Sequence, residues 1–140
     1  MSKLLKVAKK PIVFLGGTCN ESNWRDQLTK LLKIDFFNPV VETWDEKAKL
    51  EEIKQRKNCD YVLYVITPKM TGVYSVAEVV QDSNLVPDKT IFCVLEEDED
   101  KAFDAGQLKS LDAVGEMVKN NGAKVFNTLE DIAKFLNKGA

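Results

Sequence analysis

Glu78 is the side chain whose setting points most directly to chemistry. It follows Thr71-Gly-Val-Tyr-Ser-Val-Ala77, and the spacing of Val76, Val79 and Val80 predicts a helix over 73–83 with those valines turned inward. A carboxylate near the amino end of a helix is stabilised by the helix dipole. Held against the anomeric carbon of a sugar, it could act as a nucleophile through an oxocarbenium-like transition state. The competing reading is a solvated helix glutamate, since charged side chains are mostly exposed.

A second set of residues lies earlier in the chain. Gly16-Gly-Thr-Cys-Asn20 follows a short apolar run, so Gly16, Gly17, Thr18 and Asn20 are candidates to bind a ligand through an amide-lined turn. The loop is neither a Walker A loop nor G-x-G-x-x-G, and a plain tight turn is the alternative. Trp24 and Arg25 open the next helix: an indole can stack on a base and a guanidinium can hold a phosphate or a carboxylate. Their structural alternative is a half-buried tryptophan anchor beside a surface arginine. Cys19 sits in the same loop, but with no histidine to activate it, it reads as pocket wall.

These residues need a scaffold, and the hydrophobic pattern supplies one. Apolar runs at 11–15, 34–37, 60–66, 90–95 and 124–126 read as strands, with Asp60-Tyr-Val-Leu-Tyr-Val-Ile66 as the central one. Helices are expected at about 23–33 (capped by Asn20 or Ser22), 45–57 (capped by Asp45, with Ala48, Leu50 and Ile53 inward), 73–83, 103–121 (closed by Gly122) and 129–137 (capped by Thr128). The acidic run 96–100 reads as a solvated loop. Regular β–α alternation predicts an α/β fold: a five-stranded, doubly wound parallel sheet of flavodoxin-like order 2-1-3-4-5, with helices on both faces. No linker or repeat divides the chain, so residues 1–140 are expected to form one domain. Ligands of such sheets sit where strand order reverses. Here the segments 16–20, 38–44 and 67–78 meet at that point, adding Asn38, Trp44, Gly72 and Tyr74 to the candidate binding residues.

Composition narrows the chemistry. The chain is 44% hydrophobic and 30% charged with a formal net charge of -2, and it carries no basic stripe, so no nucleic-acid polymer is expected as partner. It has three widely spaced cysteines and no histidine, which argues against a structural zinc and removes histidine acid–base and Ser-His-Asp chemistry. No apolar run is long enough to span a membrane, and an intracellular, cytoplasmic location is expected.

Taken together, Ile12-Val-Phe-Leu-Gly-Gly-Thr18, Trp24-Arg25, Asn38-Pro39, Trp44-Asp45, Cys59-Asp-Tyr-Val-Leu-Tyr64, and Gly72 followed six residues later by Glu78 resemble the nucleoside 2-deoxyribosyltransferase-like family over roughly Pro11 to Leu95. The chain looks closest to its short, divergent branch. The resemblance implies cleavage of the N-glycosidic bond of a nucleoside or nucleotide, with the sugar passed to another base or to water. It places the nucleophile at Glu78 and gives Gly16, Gly17 and Thr18 to the wall of the sugar or base pocket. It calls for no cofactor and makes a homo-oligomer plausible, since family members often complete the pocket from a neighbouring subunit. The aspartate that commonly assists a few residues before the nucleophile has no counterpart in Thr67-Pro-Lys-Met-Thr-Gly72. Asp45, Glu51 and Glu52 around the second helix, and Tyr74, are the candidates to protonate the leaving base. The missing acid also leaves open a non-catalytic nucleotide-binding or sensing module that uses the same crevice. A flavin carrier is a weaker reading, because the first loop lacks a Ser/Thr-rich phosphate cradle.

Overall fold

The computed structural model describes residues 10–19 and 21–138. Five strands form one parallel sheet: β1 (Ile12–Gly17), β2 (Asp35–Phe37), β3 (Tyr61–Ile66), β4 (Thr90–Val94) and, after a short hairpin of β5 (Glu97–Asp98) and β6 (Lys101–Ala102), β7 (Lys124–Phe126). Their order is β2-β1-β3-β4-β7, the expected flavodoxin-like order, with β1 pairing through Val13↔Tyr61 to Gly17↔Val65 on one side and Ile12↔Asp35 to Phe14↔Phe37 on the other. The helices are α1 (Trp24–Thr29), α2 (Glu46–Asn58), α3 (Tyr74–Leu85), α4 (Ala105–Asn120) and α5 (Leu129–Asn137). Among the described residues no helix is long and apolar enough to cross a membrane.

The strand period of two sorts side chains into two cores. Val13, Leu15, Leu63, Val65, Ile91 and Cys93 turn to one face and pack with Trp24 and Leu28 of α1 and Ile132 and Leu136 of α5. Phe14, Val62, Tyr64, Ile66 and Phe92 turn to the other and pack with Val79 of α3 and Leu111 and Val118 of α4. Because β3 is covered on both faces, its sequence is continuously apolar rather than alternating.

Several expectations change at the element ends. Helix α1 is a short Trp24–Thr29 segment. Its cap is Asn23, which makes no side-chain cap bond, rather than Ser22, and Asn20 lies outside the described residues. The Asp45 and Thr128 caps form, accepting from the Ala48 and Asp131 amides, and Gly122 ends α4 at φ +107°. Asp104 caps α4 with Gln107 in a reciprocal box. Within the acidic run the chain folds into the β5–β6 hairpin, where the buried Asp98 accepts from the Ser22 hydroxyl; a carboxylate–hydroxyl bond to a residue distant in sequence overrides the solvated-loop reading. The largest departure is α2. None of its residues is buried, and Leu50 and Ile53, expected inward, are 59% and 53% exposed. The helix is instead tied to α3 by one side chain, Arg56.

Candidate active site at the carboxyl ends of the first and third strands

Gly17 sets the geometry of the crevice floor. It holds φ +116°, and a Cβ there would lie 2.1 Å from the Val65 carbonyl oxygen, so the close β1–β3 approach requires glycine. A Cβ on Gly16 would meet the Tyr64 ring at 2.8 Å. Thr18 then locks the turn. Its amide donates to the Val65 carbonyl (2.9 Å), and its Oγ1 accepts from the Thr67 amide (3.0 Å), joining the loops after β1 and β3.

Trp24 and Arg25 serve this turn. The Trp24 ring is 1% exposed, and its Nε1 donates to the Thr18 carbonyl (2.7 Å). Arg25 donates from Nε to Leu15 O (3.0 Å), from Nη1 to Thr18 O (2.7 Å) and from Nη2 to Gly17 O (3.3 Å), and its guanidinium stacks 4.4 Å from the centre of the Trp24 ring. The pair thus binds the outward carbonyls of the loop. Trp24 has no free face for a base, and Arg25 is buried rather than on the surface. Burial lowers the Arg25 pKa to about 10, against the opposing pull of Cys19 and Glu52.

Glu78 is 8% exposed and lines a cavity of ≈390 Å³ with Phe14, Gly16, Gly17, Arg25, Trp44 and Glu52 among its other walls. Pro39, Val40, Val41, Tyr74 and Ser75 close its rim. A smaller cavity of ≈260 Å³, between the Gly17–Cys19 turn and the Met70–Ser75 segment, adjoins it through Gly17, Cys19, Tyr74 and Ser75. Thr18 and Gly72 face this smaller space. A larger apolar cleft of ≈810 Å³ lies between α3 and α4, but Gln81, Gln107 and Ser110 are its polar lining, so it holds no acid or base. Of these three cavities, the one at Glu78 carries the carboxylates.

The electrostatics of Glu78 are a contest between burial and one cation. Burial is the largest influence and raises its pKa, Arg56 lowers it, and Glu52 and Asp82 raise it again; the result is about 7. Arg56 Nη1 stands 3.4 Å from Glu78 Oε2. Its other donors are committed: Nε and Nη2 grip Asp82 at 3.0 and 2.9 Å, and Nη2 also reaches Gln81 Oε1 at 3.0 Å. Asp82 is held from below by the Tyr64 hydroxyl at 2.6 Å. Burial opposes the Arg56 charge, but the Asp82 hydrogen bond and the surrounding anions prevail and raise its pKa. Burial and the Asp82 bond likewise raise that of Tyr64.

The remaining candidates divide. Trp44 lines the Glu78 cavity at 58% exposure and donates from Nε1 to Glu52 Oε2 at 3.0 Å. Tyr74 lines both cavities. Asp45 is occupied as the α2 cap, and Glu51 accepts from Gln55 on the exposed side of α2; neither lines the cavity, whereas Glu52 does. Asn38 accepts from the Val40 amide in a local turn, leaving Pro39 to line the wall. Arg56, Asp82 and Tyr64 were not singled out from sequence. The signal was present as helical spacing: Glu78 and Asp82 are four apart on α3, and Glu52 and Arg56 are four apart on α2.

A family model described as "Nucleoside 2-deoxyribosyltransferase like" matches residues 10–97, more than half of the chain. The match spans β1 through β4, and with them every wall of the Glu78 cavity. No curated protein and no solved structure matches.

Proposed function

We infer the reaction from one premise: the chain belongs to the nucleoside 2-deoxyribosyltransferase-like family. Membership suggests an enzyme of nucleoside N-glycosidic chemistry with a nucleoside-type ligand. The reading proposed for this chain is cleavage of the N-glycosidic bond of a nucleoside or nucleotide by Glu78. The observation that carries it is a buried carboxylate in a cavity at the strand-order reversal, facing an arginine and ringed by aromatic and glycine walls.

In this mechanism the ionised Glu78 attacks C1′. The C1′–N bond breaks as the glycosyl ester forms, and the leaving base takes a proton. Glu52 is the group to donate that proton, because it shares the cavity and is held by Trp44. Water or a second base then attacks C1′ and releases Glu78, with Glu52 taking the proton back from the acceptor. Trp44 and Tyr74 offer faces for the base. The smaller cavity, edged by Gly17, Thr18 and Gly72, takes the sugar or its 5′ substituent. Exposed Val40, Val41, Trp44 and Tyr74 at the rim support closure of the site by a second copy of the chain.

The test is mass spectrometry of free base after incubation with a panel of nucleosides and their monophosphates. Release that disappears in Glu78→Ala is expected. Release that persists in that variant refutes the nucleophile. The absence of an acid in 67–72 favours one other reading, a binding module without turnover. A ligand that raises the melting temperature and is recovered intact after long incubation would decide for it.

A further inference from the structure

Arg56 stands in a place that no motif of the sequence marks, yet it is the cation nearest the proposed nucleophile. It projects from a helix with no buried residue of its own. Its side chain crosses to α3 and engages Asp82, Gln81 and Glu78 together. A two-point grip on Asp82 fixes the plane of a guanidinium, because both Nε and Nη2 are committed to one carboxylate. The Tyr64 hydroxyl fixes that carboxylate in turn, from a ring in the sheet that is fully buried. Only Nη1 is left for Glu78, and it stands at 3.4 Å from Oε2.

We propose that Arg56 is a positioning residue for the reaction: held by Asp82 and Tyr64, it turns its remaining nitrogen to Glu78 and keeps that carboxylate aimed and negatively charged. This rests on the reading of Glu78 as nucleophile. The groups facing Glu78 leave Arg56 without a substitute. From α2 come Arg56 and Glu52; from α3 itself, Asp82; from β3, the neutral Tyr64. Arg25 of α1 and Cys19 share the cavity, but Arg25 is turned to the carbonyls of Leu15, Gly17 and Thr18 and is not among the charges that act on Glu78. Without Arg56, burial and the neighbouring Asp82 carboxylate act on Glu78 in the same direction.

The first test needs neither a variant nor a substrate. In the wild-type protein, 15N NMR of the Arg56 side-chain nitrogens and 13C NMR of the Glu78 carboxyl, recorded from pH 5 to pH 9, must show one common midpoint near pH 7. Arg56 nitrogens that do not respond while Glu78 titrates overturn the proposal. In Arg56→Gln the Glu78 midpoint rises by about one pH unit or more, and in Arg56→Lys it stays within about half a unit of wild type. With a substrate whose leaving group needs no proton, turnover of Arg56→Gln at pH 7 then falls about fivefold and recovers by pH 9, a recovery that a merely structural defect would not give. A folded Arg56→Gln with an unmoved midpoint also overturns the proposal. The two readings fail separately. Turnover that ignores Glu78→Ala removes the nucleophile reading even where the NMR coupling is found. Turnover that needs Glu78 beside an unresponsive Arg56 removes this one.

Discussion

Replacing Glu78 by glutamine gives a stability measurement that reads the site without any substrate. The carboxyl's pKa is raised from its ordinary value of 4.5 to about 7, chiefly by burial and partly offset by Arg56. A carboxyl raised in the folded state contributes stability that is fully present below its unfolded value and is lost as pH rises through its folded value. Wild-type stability should therefore fall between about pH 4.5 and pH 7 and level off above. At about 1.4 kcal/mol per pH unit, the fall amounts to roughly 3 kcal/mol. Glutamine, of similar shape and uncharged, lacks this loss. The chain has no histidine, so no other side chain with an ordinary pKa near 6.5 obscures the window. Above pH 8 the buried Cys59 and Cys93, raised by burial to about 11 and about 12, begin to contribute, and the comparison should stop there. Urea unfolding of both proteins at half-unit steps from pH 4.5 to pH 8 is the assay. The curves should meet near pH 4.5 and diverge until Glu78→Gln is the more stable by roughly 3 kcal/mol at pH 8. Curves that run parallel over the whole range would refute the claim that burial raises the Glu78 carboxyl above its ordinary pKa.

Three further outcomes are expected. Glu52→Gln should lower turnover of natural nucleosides by about 10²–10⁴-fold, and a substrate whose leaving group needs no proton should be spared, as paired rate measurements will reveal. Gly17→Ala should cost roughly 2–4 kcal/mol in urea unfolding, because it combines a left-handed φ with a Cβ driven into the Val65 backbone. A Gly17→Ala protein as stable as wild type would mean that β1 and β3 can separate freely. Trp44→Ala should leave the unfolding midpoint almost unchanged, since the ring is largely exposed, while KM rises about tenfold through lost stacking on the base.

The chain's order of elements was written in its pattern. Continuous apolarity at 61–66 marked the doubly covered central strand, and the caps at Asp45 and Thr128 and the stop at Gly122 were local signals that the fold kept. Glu78 was legible for the same reason, as a carboxylate at a fixed distance into the helix after that strand. The packing alternative for Trp24 was legible, but the burial of Arg25 was not, because the partners that claim both, the carbonyls of Leu15, Gly17 and Thr18, are set by the turn after β1 and its pairing with β3. The inner face assigned to α2 failed because a weak apolar stripe does not reveal whether a surface lies opposite it.

What the sequence determined by itself is the alternation of strands and helices, the place where strand order reverses and the presence of one carboxylate there, because each depends on residues near in the chain. Which acid shares the cavity, and which cation faces Glu78, was decided by tertiary structure alone. Glu51 and Glu52 are neighbours of one type, and only the orientation of α2 against α3 puts one in water and the other beside Glu78. Arg56 and Asp82 are 26 residues apart, and a charge's influence depends on distance through space and on burial, neither of which local spacing encodes.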